Sequence, residues 1–160
     1  MNILVFSDSH KALGTMVDAV ERLRPEVVLH LGDHLADAED LEYAFPEVEF
    51  YHVPGNCDFF TTTQPSLTIE LDGVRIFMTH GHLFGVKSQT DRLAAEARRV
   101  GAQIALFGHT HRPLLTEEDG LWLMNPGACG AGGSCFGQIL TDGKGGFSCR
   151  LLDGEDTEDK

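Results

Sequence analysis

The sequence predicts an α/β protein in which two packed sheets carry helices on their outer sides. Short β-branched apolar runs alternate with helical periodicities through the first half of the chain. The runs from Asn2 to Phe6 and from Val27 to Leu31 flank a segment with apolar residues at helical spacing, which makes a βαβ unit with parallel strands. The later chain is a series of short strands separated by glycine-rich turns, which points to an antiparallel portion.

Asn2 to Phe6 reads as a buried strand ending at Ser7-Asp8-Ser9-His10. Leu13, Met16, Val17, Val20 and Leu23 recur at helical spacing, and Pro25 stops that helix. Val27 to Leu31 is the second strand. Asp37 to Ala44 is a weaker, acidic helix that ends before Pro46. Glu49 to Val53 is a third strand, closed by Pro54-Gly55-Asn56-Cys57-Asp58. Ser66 to Leu71 and Val74 to Thr79, joined by Asp72-Gly73, read as a β-hairpin that runs into His80-Gly81-His82. Asp91 to Val100 is a helix with Gly101 as its stop. Gln103 to Phe107 is a buried strand that leads into Gly108-His109-Thr110-His111. Leu121 to Met124, Phe136 to Thr141 and Phe147 to Leu152 are the expected antiparallel strands.

At 160 residues and 42% apolar content the chain fits one domain with its own core. Residues 1–152 form that domain, and 153–160 read as an acidic, disordered tail. The formal charge of −13 argues against a broad nucleic-acid or anionic-membrane surface, both of which need clustered cations. No apolar run reaches the ~18 residues of a membrane helix, and the start lacks a signal-peptide pattern, so the expectation is a cytoplasmic protein. Cys57, Cys129, Cys135 and Cys149 contain no Cys-x-x-Cys pair and read as free thiols, with a zinc site at Cys129 and Cys135 as the minor alternative.

Asp33 follows a buried strand in Leu31-Gly32-Asp33-His34. A carboxylate there needs a balancing charge, because an unpaired buried one costs several kcal/mol or is forced neutral. Few basic residues lie nearby in sequence, while several metal-type ligands occur elsewhere, which points to Asp33 bridging two metal ions. Asp8 with His10, Asp33, Asn56, His80 with His82, and His109 with His111 all follow apolar strands, where open α/β sheets build their sites. Extended alternation would put Asp8 and His10 on one side, and likewise His109 and His111. Carboxylate, imidazole and amide oxygen together suit Mn, Zn, Fe, Co or Ni. Read singly, each motif is also explained as a cap, turn or loop.

Asp8-x-His10, Gly32-Asp33, Gly55-Asn56-Cys57-Asp58, His80-Gly81-His82 and Gly108-His109-Thr110-His111 stand in the order of the calcineurin-like metallophosphoesterases. The chain resembles that family over about Met1 to Gly127, and looks most like its small bacterial and archaeal phosphodiesterase branch. The resemblance implies a four-layer α/β/β/α sandwich of two mixed sheets with a dinuclear centre. It implies that Asp8, His10, Asp33 and His111 hold one metal and that Asp33, Asn56, His80 and His109 hold the other, with Mn²⁺ the favoured ion.

Two such ions clamp a phosphoryl group and lower the pKa of a bridging water, which gives a hydroxide for in-line attack. The expected function is therefore a metal-dependent phosphodiesterase acting on a small phosphodiester. Asp33, Asn56, Cys57 and His82 are its candidate catalytic residues, with His82 contacting phosphate or supporting the ligands. The alternatives are a phosphomonoesterase, a pyrophosphate-bond hydrolase, or a non-catalytic scaffold of the same fold. Asp58 is expected to orient a ligand histidine. His30 reads as a core or supporting histidine, and His34 as either a substrate contact or a solvated loop residue. His52 has no assigned role. Asn125-Pro126-Gly127 reads as a turn, and the glycine-rich residues after it depart from the Ser- and Arg-containing continuation of the family. Homo-oligomerisation is left open.

Overall fold

The computed structural model describes residues 1–59, 61–130 and 133–154. The elements run β1 (Asn2–Phe6), α1 (Leu13–Leu23), β2 (Val27–His30), α2 (Leu35–Ala44), β3 (Glu49–His52), β4 (Ser66–Leu71) and β5 (Val74–Thr79). A short 3₁₀ turn at His82–Phe84 follows, then α3 (Asp91–Arg99), β6 (Ile104–Leu106), β7 (Leu114–Glu118), β8 (Leu121–Asn125), β9 (Cys135–Thr141) and β10 (Phe147–Asp153). Two five-stranded mixed sheets result, ordered β10-β9-β1-β2-β3 and β4-β5-β6-β8-β7.

Strand alternation builds the layers. In β1, Ile3 and Val5 point into the core between the sheets, where they join Leu29, Ile76, Met78, Ile104 and Leu106. Leu4 and Phe6 point the other way, onto Met16, Ala19 and Val20 of α1 and Leu41 of α2. On the second sheet, Phe77 and Ala105 pack outward against Leu93, Ala94 and Ala97 of α3. This is the four-layer α/β/β/α sandwich that the resemblance implied.

Three expectations change. β8 is not part of the antiparallel portion alone: it pairs parallel with β6 and antiparallel with β7. It also lies in the opposite sheet from β9 and β10. The reason is its alternation, since Leu121 and Leu123 cover α3 while Met124 fills the inter-sheet core. β7 was not legible, because Leu-Leu-Thr-Glu-Glu has no period-2 pattern and its backbone is ordered by pairing with β8 at the sheet edge. Asp153 belongs to the domain rather than the tail. It closes β10 opposite Cys135 and accepts a hydrogen bond from Ser134. Residues 155–160 of the expected tail lie outside the described residues.

Cys57, Cys129 and Cys149 are free thiols. Burial pushes the Cys129 thiol up to about 12, which disfavours the thiolate that zinc would need. No helix among the described residues is long and apolar enough to cross a membrane.

Ile3 is fully buried between the sheets and stands at the far end of β1 from Asp8. Ile3→Ala is expected to cost about 2–5 kcal/mol of stability, read as a lowered denaturant midpoint with unchanged metal content.

Candidate metal centre

The site exists because neighbouring parallel strands end together. β1 and β2 are in register at Phe6 and His30, so Asp8 and Asp33 leave the sheet at one edge. The Asp8 N–H donates to the Gly32 carbonyl at 3.0 Å. In the other sheet β5 and β6 are also parallel, and the Gly108 N–H donates to the His80 carbonyl at 2.8 Å. The ligand segments are not extended, however. Asp8, His10, His109 and His111 all have positive φ, between 43° and 70°. Strand alternation therefore does not set their directions, and tight left-handed turns do.

Ligand atoms of Asp8, His10, Asp33 and His111 lie within 4.8 Å of one another. Asp8 is fully buried, and its Oδ2 accepts from the Ser7 hydroxyl at 2.6 Å and the His109 N–H at 3.2 Å. Its Oδ1 accepts no hydrogen bond, although His111 Nε2 is only 3.1 Å away, so these atoms are close without being aligned as donor and acceptor. His10 Nε2 is also buried without a partner. Two ionised carboxylates at 4.8 Å repel by roughly 3.5 kcal/mol at an effective dielectric of about 20.

A second group adjoins the first. Asp33 Oδ1 accepts from the Cys57 N–H at 2.9 Å, and Oδ2 is 3.5 Å from His80 Nε2. Burial acts to raise the Asp33 carboxyl. The Cys57 N–H and the nearby His80 and His10 outweigh that, so its pKa lies below the ordinary value. His80 Nδ1 must donate to the Leu31 carbonyl, 2.8 Å away, because a carbonyl can only accept. In the neutral ring Nε2 is then a lone pair, and it faces Asn56 Oδ1 at 3.0 Å as well as Asp33. Lone pairs turned on one another fit a divalent first-row cation, and the mixed O/N donor set suits one.

The His109 ring centroid is 5.1 Å from that of His80. His82 is 5.5 Å from His80, and its buried Nδ1 has no partner. Burial, reinforced by His80, lowers the pKa of both His82 and His109, and Lys87 lowers His109 further. Both rings are thereby favoured in the neutral form that can accept from a donor or bind a metal.

The supporting contacts are mostly to backbone. Asp58 orients no histidine. It accepts from the N–H groups of Asp33, Leu35 and Gly55 at 2.9, 2.7 and 2.8 Å, which ties the two loops around Asp33 together. Gly32 has φ +101°, and a Cβ there would meet Gly55 N at 2.4 Å. His30 is fully buried and accepts the Gly32 N–H on Nδ1 at 3.1 Å, so its Nε2–H faces the Ser9 hydroxyl at 3.0 Å. Ser9 in turn donates to Asp37 at 2.7 Å. Burial lowers His30 to about 4 and keeps it neutral.

Sequence reasoning missed Ser9 and Asp37 in this chain of bonds; a carboxylate on the buried face of α2 was the available signal. Asn125 donates to the Gly108 carbonyl and the Thr110 hydroxyl at 3.1 and 2.9 Å, so the turn it opens steadies the histidine loop. The glycine-rich stretch packs on the Asp8 loop: Cys129 N–H donates to the Ser7 carbonyl at 3.1 Å. Residues 131–132 of that stretch are not described. The His34 ring meets His10 edge-on at 5.0 Å. The buried His52 Nδ1 has no hydrogen-bond partner among the described residues.

Over residues 1–140 the sequence matches the calcineurin-like phosphoesterase superfamily domain. The chain belongs to that superfamily. Its similarity to the probable metallophosphoesterase YsnB of Bacillus subtilis is 35% identity over 129 residues, 80% of this chain and 75% of that one. It is 33% identical to the phosphodiesterase YfcE of Escherichia coli over 84 residues, 48% of this chain and 42% of YfcE. Among solved structures, an uncharacterised Streptococcus pneumoniae protein described as a predicted phosphoesterase superposes with a TM-score of 0.79 at 27% identity. That match covers 96% of this chain and 90% of the other. Wild-type Vps29 of Entamoeba histolytica, complexed with Zn²⁺, superposes with a TM-score of 0.74 at 20% identity, over 96% and 99% of the two chains, a likeness of fold.

Gly55 leaves no room for a side chain beside Asp33. A Cβ there would sit 2.1 Å from Asp33 Oδ1 and 2.6 Å from Asp33 N. Gly55→Ala is expected to displace Asp33 and lower bound metal at least tenfold by elemental analysis, with far-ultraviolet circular dichroism unchanged; full metal content would show that the loop absorbs the methyl group.

Proposed function

We propose that the protein is a metal-dependent phosphodiesterase with two metal sites that share Asp33. Asp8, His10, Asp33 and His111 hold one ion, and Asp33, Asn56, His80 and His109 hold the other. The observation that carries this reading is the convergence of buried, unpartnered Asp8 Oδ1 and His10 Nε2 with the His80 Nε2 lone pair. Mn²⁺ is the ion we favour, with Zn, Fe, Co and Ni also matched by the donor set. Bound divalent ions would polarise phosphoryl oxygens and supply hydroxide near neutral pH.

The chain's own residues set the geometry. The Cys57 N–H holds one Asp33 oxygen and leaves the other toward His80. His82 presents a ring next to His80 and His109 that can contact a phosphoryl oxygen. The scaffold alternative has support in the likeness of fold to Vps29, whereas every ligand position implied by the family carries a ligand-type side chain here.

The test is metal analysis joined to turnover. The Mn²⁺-loaded protein should hold about two ions per chain and hydrolyse bis(4-nitrophenyl) phosphate. Asp33→Ala should lose both ions and at least ~10³-fold in kcat/KM, a scale set by loss of a metal's Lewis acidity. His10→Ala should lose about one ion. A fully metal-loaded protein that turns over no phosphoester would favour the scaffold reading.

Diester preference rests on Cys57 together with the likeness to YfcE. Many members of the family carry histidine at this position. The Cys57 pKa is raised, first by burial and then by the Asp33 carboxylate, so the thiol is neutral at pH 7. It offers no positive charge to a dianionic monoester and no strong acid to a poor leaving group. Diesters with acidic leaving groups lose least from that. Cys57→His should raise the ratio of monoesterase to diesterase activity on matched aryl esters by about fivefold or more. An unchanged ratio at equal metal content would place substrate preference elsewhere.

A further inference from the structure

A cavity of about 630 Å³ adjoins the metal centre, lined by Lys87, Thr90, Phe107, Thr110, Arg112 and Leu114 among others. Its floor is continuous with the ligand segments on two sides. Thr110 stands between His109 and His111. Val86 and Phe107, which also line the cavity, pack on Gly81 between His80 and His82; a Cβ on Gly81 would meet them at 2.8 and 3.5 Å.

The lining chemistry is unlike the rest of this molecule. The chain has 25 acidic residues against 12 basic ones, yet among the described residues two cations and no carboxylate line the cavity. Neither the Lys87 nor the Arg112 side chain has a hydrogen-bond or ion-pair partner among the described residues. Two hydroxyls, Thr90 and Thr110, add donors, and Phe107, Val86 and Leu114 supply apolar surface. Cations beside hydroxyls and an apolar floor suit an organic group bearing an anion.

We propose that this cavity is a subsite for a second phosphate on the organic group of the substrate. The enzyme would then act on small phosphodiesters that also carry a phosphate monoester, such as the 3′-phosphate of a nucleoside 5′-phosphodiester. This rests on the phosphodiesterase reading of the adjoining centre. Only Thr110 and His111 lie between His109 and Arg112, so their Cα atoms, three steps apart along the chain, are at most about 11 Å from each other. The two phosphates of a nucleoside 3′,5′-bisphosphate fall within that reach. The overall negative charge disfavours a long polynucleotide, while Lys87 and Arg112 can receive a single extra phosphate.

The experiment compares thymidine 5′-(4-nitrophenyl phosphate) with its 3′-phosphorylated analogue, using the Mn²⁺-loaded protein. Both release 4-nitrophenolate, so the reacting bond is the same. The 3′-phosphate should raise kcat/KM about tenfold, mainly through KM, and the advantage should shrink with added salt. In Lys87→Gln/Arg112→Gln the ratio between the two esters should fall to about one, with an unchanged melting curve because both side chains are exposed. Equal kcat/KM for the two esters, or a ratio that survives the double substitution, would overturn the subsite. Calorimetry with thymidine 3′,5′-bisphosphate against thymidine 5′-monophosphate separates the two readings. If neither ester turns over but the bisphosphate binds about tenfold tighter, and loses that margin in the double variant, the subsite stands and the phosphodiesterase reading falls. Equal affinities would overturn the subsite whatever the turnover.

Discussion

Asp8 and Asp33 present carboxylate oxygens within 4.8 Å of each other inside the protein, and the backbone holds both in place. Parallel pairing of β1 with β2 brings them together. The Ser7 hydroxyl and the His109 N–H fix Asp8, and the Cys57 N–H fixes Asp33. The Cys57 N–H helps to hold the Asp33 carboxyl below its ordinary pKa, so that carboxylate stays charged. The surrounding histidines do not relieve the repulsion by hydrogen bonding, since Asp8 Oδ1 accepts none. A site of this kind is suited to a cation, and the rest of the loop architecture maintains it.

Backbone strain is concentrated in the same place. Among the described residues, ten non-glycine positions have positive φ, and six of them are Asp8, His10, Asp33, His34, His109 and His111. Each such residue costs on the order of 1–2 kcal/mol relative to a right-handed conformation. Asp and His tolerate the left-handed region better than most residues, and distant contacts hold these loops in it. Asp58 gathers three N–H groups from the two loops beside Asp33. The His30–Ser9–Asp37 chain anchors the Asp8 loop to α2, and Asn125 anchors the histidine loop to the end of β8. These buried polar residues touch no reacting atom in our reading. They position the ones that do, and each is satisfied by partners, as buried polar groups must be.

The division of labour between sheets follows from this. The first sheet supplies the carboxylates and His10. The second supplies His80, His109 and His111, together with the cationic cavity beyond them. Function therefore depends on the inter-sheet core around Ile3, Leu29, Ile76 and Leu106, because only that packing brings the two ligand sets into one space. The 3₁₀ turn at His82–Phe84 and the cavity lined by Val86, Lys87 and Thr90 follow directly on the His80 segment.

The sequence by itself determined most of the elements and which ligand-type residues follow them. β-branched runs bounded by turn residues fixed β1, β2, β4 and β5, and helical spacing fixed α1, because these patterns are local and the core faces repeat with the period of each element. Motif order was equally legible, since ligand types cluster after strands. Directions in space were not. Asp8 with His10, and His109 with His111, looked co-facial by strand alternation, yet left-handed turns set their geometry. β7 and the parallel edge of β8 were hidden, because edge pairing is decided by a partner strand distant in the fold rather than by local pattern. Asp58 looked like a histidine partner and proved to be a backbone clamp, and Asp37, legible only as the start of an acidic helix, is buried and accepts from the Ser9 hydroxyl. Which polar atoms meet, and which remain unpartnered, is a property of tertiary packing, and that alone decided where the metal-ligand atoms converge and where a cationic cavity opens beside them.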